Sequence, residues 1–203
     1  MAQQRAGGKI EHPAAILPEA PLADIFRQAE AGYPEEICGM VVGKPDNPET
    51  LRARQVRNIA NQEPQRDTAG LARDARTAYK MDPLEQLRVL REVDQQGWEV
   101  MVFYHSHPDH GVYFSAMDRD RALTPDGEPI WPGATYLVVS VVAGRARSAC
   151  CYAWDAVRRD FLERPLTPPR RSRLFSIGLG PARKALCYRR LVRYRMEQVR
   201  SAV

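Results

Sequence analysis

The feature that most narrows what this chain can fold into is an apolar run, Trp98-Glu99-Val100-Met101-Val102-Phe103-Tyr104, that ends in His105-Ser106-His107. Such a run reads as a buried strand, and side chains two apart on a strand point to the same face. Both imidazoles then leave the strand on one side, where a single metal ion can take both. Ser115 and Asp118 follow in Ser115-Ala116-Met117-Asp118-Arg119-Asp120-Arg121-Ala122-Leu123. That segment is helical in character with no breaker, and residues three apart share a helix face. Two neutral imidazoles and one carboxylate give zinc three protein ligands and leave its fourth tetrahedral position to water, as in a catalytic rather than a structural site. Ser115 with an acid three residues on also reads as a helix N-cap with a capping-box-like partner, a role that can coexist with a catalytic one.

Helical and strand periodicities alternate around this element. Leu22, Ile25, Phe26 and Ala29 predict a helix over 21–31 that stops at Gly32. Residues 37–43 read as a strand ending in the turn Lys44-Pro45-Asp46-Asn47-Pro48. Residues 51–58 read as a second strand, a candidate sheet edge, with Arg52, Arg54 and Arg57 outward. Asp82 and Pro83 open a helix whose apolar positions are Leu84, Leu87, Val89, Leu90 and Val93, and Gly97 closes it. Residues 135–142 and 147–153 predict a hairpin around Ala143-Gly144, followed by a last strand or short helix over 157–163. Residues 59–80, polar and containing Pro64 and Gly70, are either a flap over the site or an ordinary solvated loop. Strands interleaved with helices, with hairpins among them, give an α/β (α+β) fold: a mixed β-sheet flanked by helices.

The residues His105-x-His107-Pro108 and Ser115-x-x-Asp118 resemble the signature of the JAMM, or MPN-plus, zinc metallopeptidases. Two further segments are similar to that family: Pro34-Glu35-Glu36-Ile37-Cys38-Gly39-Met40-Val41-Val42-Gly43, and Trp131-Pro132-Gly133-Ala134-Thr135-Tyr136-Leu137-Val138-Val139-Ser140. The resemblance covers about 16–163, departs at Phe114, where many members have Pro, and lacks a counterpart for the C-terminal tail. It implies a cytidine-deaminase-like MPN domain holding one Zn²⁺ through His105, His107 and Asp118. Glu36, not Glu35, is then the catalytic carboxylate that shuttles the proton, and Ser115 donates a hydrogen bond to the oxyanion. Asp109 and His110 stay outside the ligand set, as groups supporting the ligands or facing substrate.

The implied reaction is hydrolysis of the peptide or isopeptide bond after the C-terminal glycine of a ubiquitin-like protein. The implied partners are that protein or its conjugate, with E1/E2-like enzymes of the same operon. Release of an amino acid from a ubiquitin-like sulfur carrier and a non-catalytic MPN scaffold are the alternatives. The segment 51–58 or the flap 59–80 is the candidate surface for the modifier.

Charge divides the chain. Of its 30 basic and 25 acidic residues, eleven and one fall in 164–203, which leaves 19 and 24 in the rest. The tail carries +10 and the body −5. The expected organisation is therefore a leading segment 1–15, a catalytic domain 16–163, and a basic tail 164–203. The tail is a Pro-rich linker and an amphipathic helix striped by Ala185, Tyr188, Val192, Met196 and Val199. The tail suits an acidic partner, the body itself or a dimer contact. No nucleic-acid-binding motif accompanies its charge, so nucleic acid is not expected. No apolar stretch reaches the roughly 18 residues a membrane span needs. The N-terminal residues lack the apolar core of a signal peptide, an expectation of a cytoplasmic protein. Cys38, Cys150, Cys151 and Cys187 form no C-x-x-C pair and read as reduced, mostly buried thiols.

Overall fold

A computed structural model describes residues 17–67, 69–164 and 166, so the leading segment and the expected tail helix lie outside the described residues. The stripe of Leu22, Ile25, Phe26 and Ala29 becomes α1 (Glu19–Gly32), with all four side chains buried. β1 (Cys38–Lys44) and β2 (Asn47–Val56) form a hairpin, and β3 (Gln65–Arg66) with β4 (Ala72–Arg73) a minimal one. Then come α2 (Pro83–Gln96), β5 (Glu99–Pro108), α3 (Ala116–Ala122), β6 (Thr135–Val142), β7 (Arg145–Asp155) and β8 (Asp160–Arg164).

Among the described residues the main sheet has six strands in the order β2-β1-β5-β6-β7-β8. Only β5 and β6 run parallel. Parallel neighbours need a crossover, and residues 109–134 supply it. Because α3 lies within that crossover, the chain returns over the sheet immediately after the His pair. One face of the sheet packs Val41, Val102, Tyr104, Leu137 and Val139 against α1. The other packs Met40, Val42, Phe103, Tyr136 and Trp154 beneath α2 and α3. Each fully buried Val, Leu or Ile in these layers contributes about 1.5–3 kcal/mol.

β5 does not alternate evenly. Val41 pairs with Val102 but Val42 pairs with Val100, so Met101 is an extra residue, a β-bulge. Beyond the bulge Phe103, His105 and His107 share the α2/α3 face, while Val102 and Tyr104 face α1. On that α1 face, Gly39 lies opposite Tyr104, and a Cβ on Gly39 would collide with the Tyr104 hydroxyl and the Arg54 carbonyl. The absent side chain lets Tyr104 cross β1 and donate to Gln28 Oε1 at 2.6 Å.

Several expectations are sharpened. The hairpin at Ala143-Gly144 is present, both residues having positive φ (50° and 72°) as a two-residue type I′ turn requires. The choice left open over 157–163 resolves as a strand, β8, antiparallel to β7. β2 is one of the two sheet edges, but Arg54 does not simply face outward: its Nε donates to Glu92 of α2 at 2.9 Å. α2 is capped as expected, Asp82 accepting from the Leu84 and Glu85 amides at 2.8 and 3.2 Å, and it closes at Gly97 in the left-handed region. Its apolar positions are not one face, however. Val89, Leu90 and Val93 pack inward, whereas Leu84 and Leu87 are exposed, because at 100° per residue Leu84 lies opposite that stripe and Leu87 on its outer flank. The body also continues past 163, since Arg164 belongs to β8 and Leu166 is buried in the α1-side core. No helix among the described residues is long and apolar enough to cross a membrane.

Candidate metal centre

β5 ends with His105 and His107 buried on one face, and α3 begins where Asp118 can meet them. The Nε2 atoms of His105 and His107 are 3.0 Å apart. Asp118 Oδ1 is 3.4 Å from His105 Nε2, and Asp118 Oδ2 is 3.8 Å from His107 Nε2. Ligand atoms at zinc–nitrogen distances on a tetrahedron are separated by about 3.3 Å, close to these separations, and one ligand atom from each of the three residues lies within 4.8 Å of the other two. His107 Nδ1 lies 2.9 Å from the Gly111 carbonyl, which can only accept, so that nitrogen carries hydrogen and leaves Nε2 bare in the neutral ring. Asp118 Oδ2 accepts from the Ser115 amide at 2.9 Å and the Ser115 hydroxyl at 2.6 Å, which leaves Oδ1 as its less engaged oxygen. The same bonds, with Ser115 Oγ accepting from the Asp118 amide at 3.1 Å, form a complete capping box.

Protonation suits a cation. Burial holds His105 below its ordinary pKa and so favours the neutral ring. Burial also pushes His107 down, but hydrogen bonding to Asp118, the charge of Glu36 and the Gly111 carbonyl outweigh it, so His107 is raised. For Asp118 burial acts upward, yet His105 and hydrogen bonds from His105, His107 and Ser115 hold the carboxyl well below the usual carboxylate range. Two imidazoles and one anion form a donor set that fits Zn²⁺, and because His107 is raised by the anions around it, binding the cation there releases a proton.

Glu36 is buried at 7 % exposure in the turn before β1. Burial pushes its carboxyl up to about 8; His107 and Arg121 oppose this, and the negative charge of Asp118 adds to it. Its backbone is fixed from three sides. Ser106, the residue between the two histidines, accepts from the Ile37 amide through Oγ at 2.9 Å, and its own amide donates to the Ile37 carbonyl at 3.0 Å. The Glu36 amide donates to the Ala75 carbonyl at 2.6 Å. Asn58 donates to the Glu36 and Ala78 carbonyls at 2.9 and 3.1 Å, and its Oδ1 accepts from the amides of Ala60 and Lys80 at 3.0 and 2.9 Å. One half-buried amide thus uses its Nδ2 and its Oδ1 to join Glu36 to Ala78 and Lys80.

Residues 59–80 are neither wholly flap nor wholly solvated loop. Ile59, Ala60, Ala75, Ala78 and Tyr79 are buried, and the Tyr79 ring stacks on His105 with centroids 4.6 Å apart. Between these walls the β3–β4 hairpin projects, with Leu71 61 % exposed.

The crossover loop is equally constrained. Asp109 accepts from the Tyr33 hydroxyl and the Ala143 amide, both at 2.9 Å, so its carboxylate braces α1 against the β6–β7 turn. The His110 carbonyl accepts from Ser140 Oγ at 2.5 Å and the Val112 carbonyl from the Tyr152 hydroxyl at 2.6 Å. Phe114, where a Pro is common in the resembling family, packs among Tyr136, Tyr152 and Phe161 and so anchors the loop by aromatic contact. Cys38 shares the His105 face, but burial pushes its thiol up, so it is no thiolate nucleophile. Cys150 and Cys151 are buried and form no disulfide, and Cys187 lies outside the described residues.

A family model described as prokaryotic homologs of the JAB domain matches residues 18–154. The chain is 36% identical over 115 residues to a desampylase of Haloferax volcanii, covering 56% of this chain and 69% of that protein. It is 29% identical over 92 residues to a desampylase of Pyrococcus furiosus, covering 45% and 54%. Among solved structures, the solution structure of a Desulfitobacterium hafniense protein shares the fold, with a TM-score of 0.55 and 20% identity over 77% of this chain and 93% of that one.

Proposed function

The chain belongs to the prokaryotic homologs of the JAB domain, within the JAMM/MPN family that its motifs resemble, and on that premise we propose that it is a zinc-dependent hydrolase. In this reading it cleaves the peptide or isopeptide bond after the C-terminal glycine of a ubiquitin-like protein. The observation that carries it is the meeting of His105, His107 and Asp118, with ligand atoms within 4.8 Å of one another, beside the buried Glu36. The two related desampylases support the substrate class.

His105, His107 and Asp118 would hold the ion, which when bound would supply a Lewis acid and a water of lowered pKa. Glu36 takes the proton of the attacking water and delivers it to the leaving amine, so one carboxylate acts first as base and then as acid. A carboxyl that burial pushes up and a bound dication would draw back down can do both near pH 7. Ser115 donates its hydroxyl proton to Asp118 in the structure and turns it toward the oxyanion as charge develops there. The capping box then has a second use, because the Asp118 amide fixes the Ser115 oxygen while its hydrogen exchanges Asp118 Oδ2 for the oxyanion.

The path of the modifier's tail is read from a cleft of about 450 Å³ that reaches Glu36 and is lined by Gln55, Val56, Arg57 and Asn58 at the end of β2. β2 is a sheet edge, and an extended diglycine terminus can add to such an edge by main-chain hydrogen bonds.

The test is to measure zinc per chain and cleavage of ubiquitin-like fusions from the same genome, with Glu36→Gln and His105→Ala as controls. One zinc and cleavage lost in both variants is the expected result, and full activity in Glu36→Gln refutes the assigned base.

A further inference from the structure

We infer that Tyr79 and Arg121 work as one positioning device for His105, an inference that rests on the metal-centre reading above. The two histidines are oriented by different means. A hydrogen bond to Gly111 sets the plane of His107. The ring of His105 is set through its face, by stacking on Tyr79 at 4.6 Å and 27°. An imidazole directs its nitrogen lone pair in its own plane, so a ring that tilts about its side-chain bonds carries the donor atom away from the ion.

Tyr79 lies outside helix and strand; Asn58 holds the Ala78 carbonyl and the Lys80 amide on either side of it, but not the carbonyl of Tyr79 itself. Arg121 supplies the missing restraint. Its Nη1 donates to the Tyr79 carbonyl, its Nη2 donates to Gln65 Oε1 at 3.1 Å, and its guanidinium carbon lies 5.3 Å from the centre of the Tyr79 ring. Only a planar fork with several donors can grip a carbonyl, an amide and a ring face together. Arg121 follows Asp118 by three residues in α3, so both leave one side of that helix. The helix therefore presents one ligand directly and steadies a second through Tyr79.

Charge alone argues against an arginine here. Arg121 is close enough to His105 to disfavour its protonation, and a fixed positive charge likewise opposes a dication. If charge were all that Arg121 contributed, its removal would tighten metal binding. A positioning role predicts the opposite sign.

The experiment uses the full chain stripped of metal. It reads zinc affinity by competition with a chromophoric chelator, the visible absorption of the Co²⁺ form, and melting of the metal-free protein. Arg121→Met and Tyr79→Leu are expected to lose 10–100-fold in zinc affinity, the range found when groups that orient a ligand are removed. Their Co²⁺ spectra should change while the metal-free protein still melts cooperatively. Tyr79→Phe keeps the ring and should bind as wild type, and Arg121→Lys should recover part of the loss. Wild-type or tighter zinc binding by both Arg121→Met and Tyr79→Leu overturns the inference. If Arg121→Met does not fold, wild-type affinity in Tyr79→Leu overturns it equally. A wild-type chain that binds no zinc refutes the metal-centre reading itself, a failure the variants do not produce.

Discussion

Replacing Glu36 with Gln should change the pH dependence of folding in a direction the structure dictates. Burial raises the Glu36 carboxyl from its ordinary 4.5 to about 8. An acid with a higher pKa folded than unfolded binds its proton more tightly in the native state. Its contribution to stability is then complete below about pH 4.5 and is lost as pH climbs toward 8. At about 1.4 kcal/mol per pKa unit, the metal-free protein loses about 3 to 4 kcal/mol between pH 5 and pH 8 through this group. Gln is nearly isosteric and cannot ionise, so the variant escapes that loss. Urea unfolding of both proteins in a chelator, at unit steps from pH 5 to pH 8, isolates the effect because titrating groups common to both cancel in the difference. The stability gap should move toward the variant at close to 1.4 kcal/mol per pH unit until about pH 7.5, then level off. Saturating zinc should shrink it, since a nearby dication favours the ionised carboxylate. A gap that stays constant over this range in the chelated proteins would refute the claim that Glu36 is a buried acid.

Ser115→Ala removes both halves of the hydroxyl's pairing with Asp118 and should cost about 1 kcal/mol as a lost helix cap, read by denaturant midpoint. In turnover it should cost about 10²–10³ in kcat. Gly39→Ala drives a methyl into the Tyr104 hydroxyl and the Arg54 carbonyl and should lower stability by about 1–3 kcal/mol, visible as a lower melting temperature. Truncation after Leu166 should leave zinc binding and hydrolysis of a small model substrate intact while weakening capture of the full partner. Truncation after Glu163 should lower the melting temperature as well, because it removes Arg164 from β8 and Leu166 from the core.

What the sequence discloses follows the range of each interaction. His105 with His107, and Ser115 with Asp118, sit at strand and helix spacings, so their convergence within each element is local and readable. Glu36 is about seventy residues from the histidines, and no periodicity points to it, so only motif resemblance singles it out. Ser106, Asn58, Tyr79 and Arg121 carry no local signal. Ser106 acts on Ile37 across 69 positions, Arg121 on Tyr79 across 42, and each is an ordinary polar or aromatic residue in its own neighbourhood. Residues 59–80 resist reading for the same reason: outside the short β3–β4 ladder they are fixed largely by side chain to backbone bonds from Asn58, Asn61 and Arg121. In α2 the apolar residues were visible but their faces were not, because a tally of hydrophobic positions omits their angles around the helix axis.

The Met101 bulge decides where this chain can change length. From Val102 onward, alternation sends Phe103, His105 and His107 to the α2/α3 face. Deleting Met101 alone, with the pairing after Val102 kept, would move only the entry of the strand. Adding or losing one residue between Val102 and His105 would turn both imidazoles toward α1, among Val102, Tyr104 and Leu137, beyond the reach of Asp118. The turn at Pro45-Asp46 and the tip of the β3–β4 hairpin are under no such constraint. Insertions for tags, probes or altered recognition belong at those two places, whereas the four residues from Val102 to His105 have a fixed reading frame.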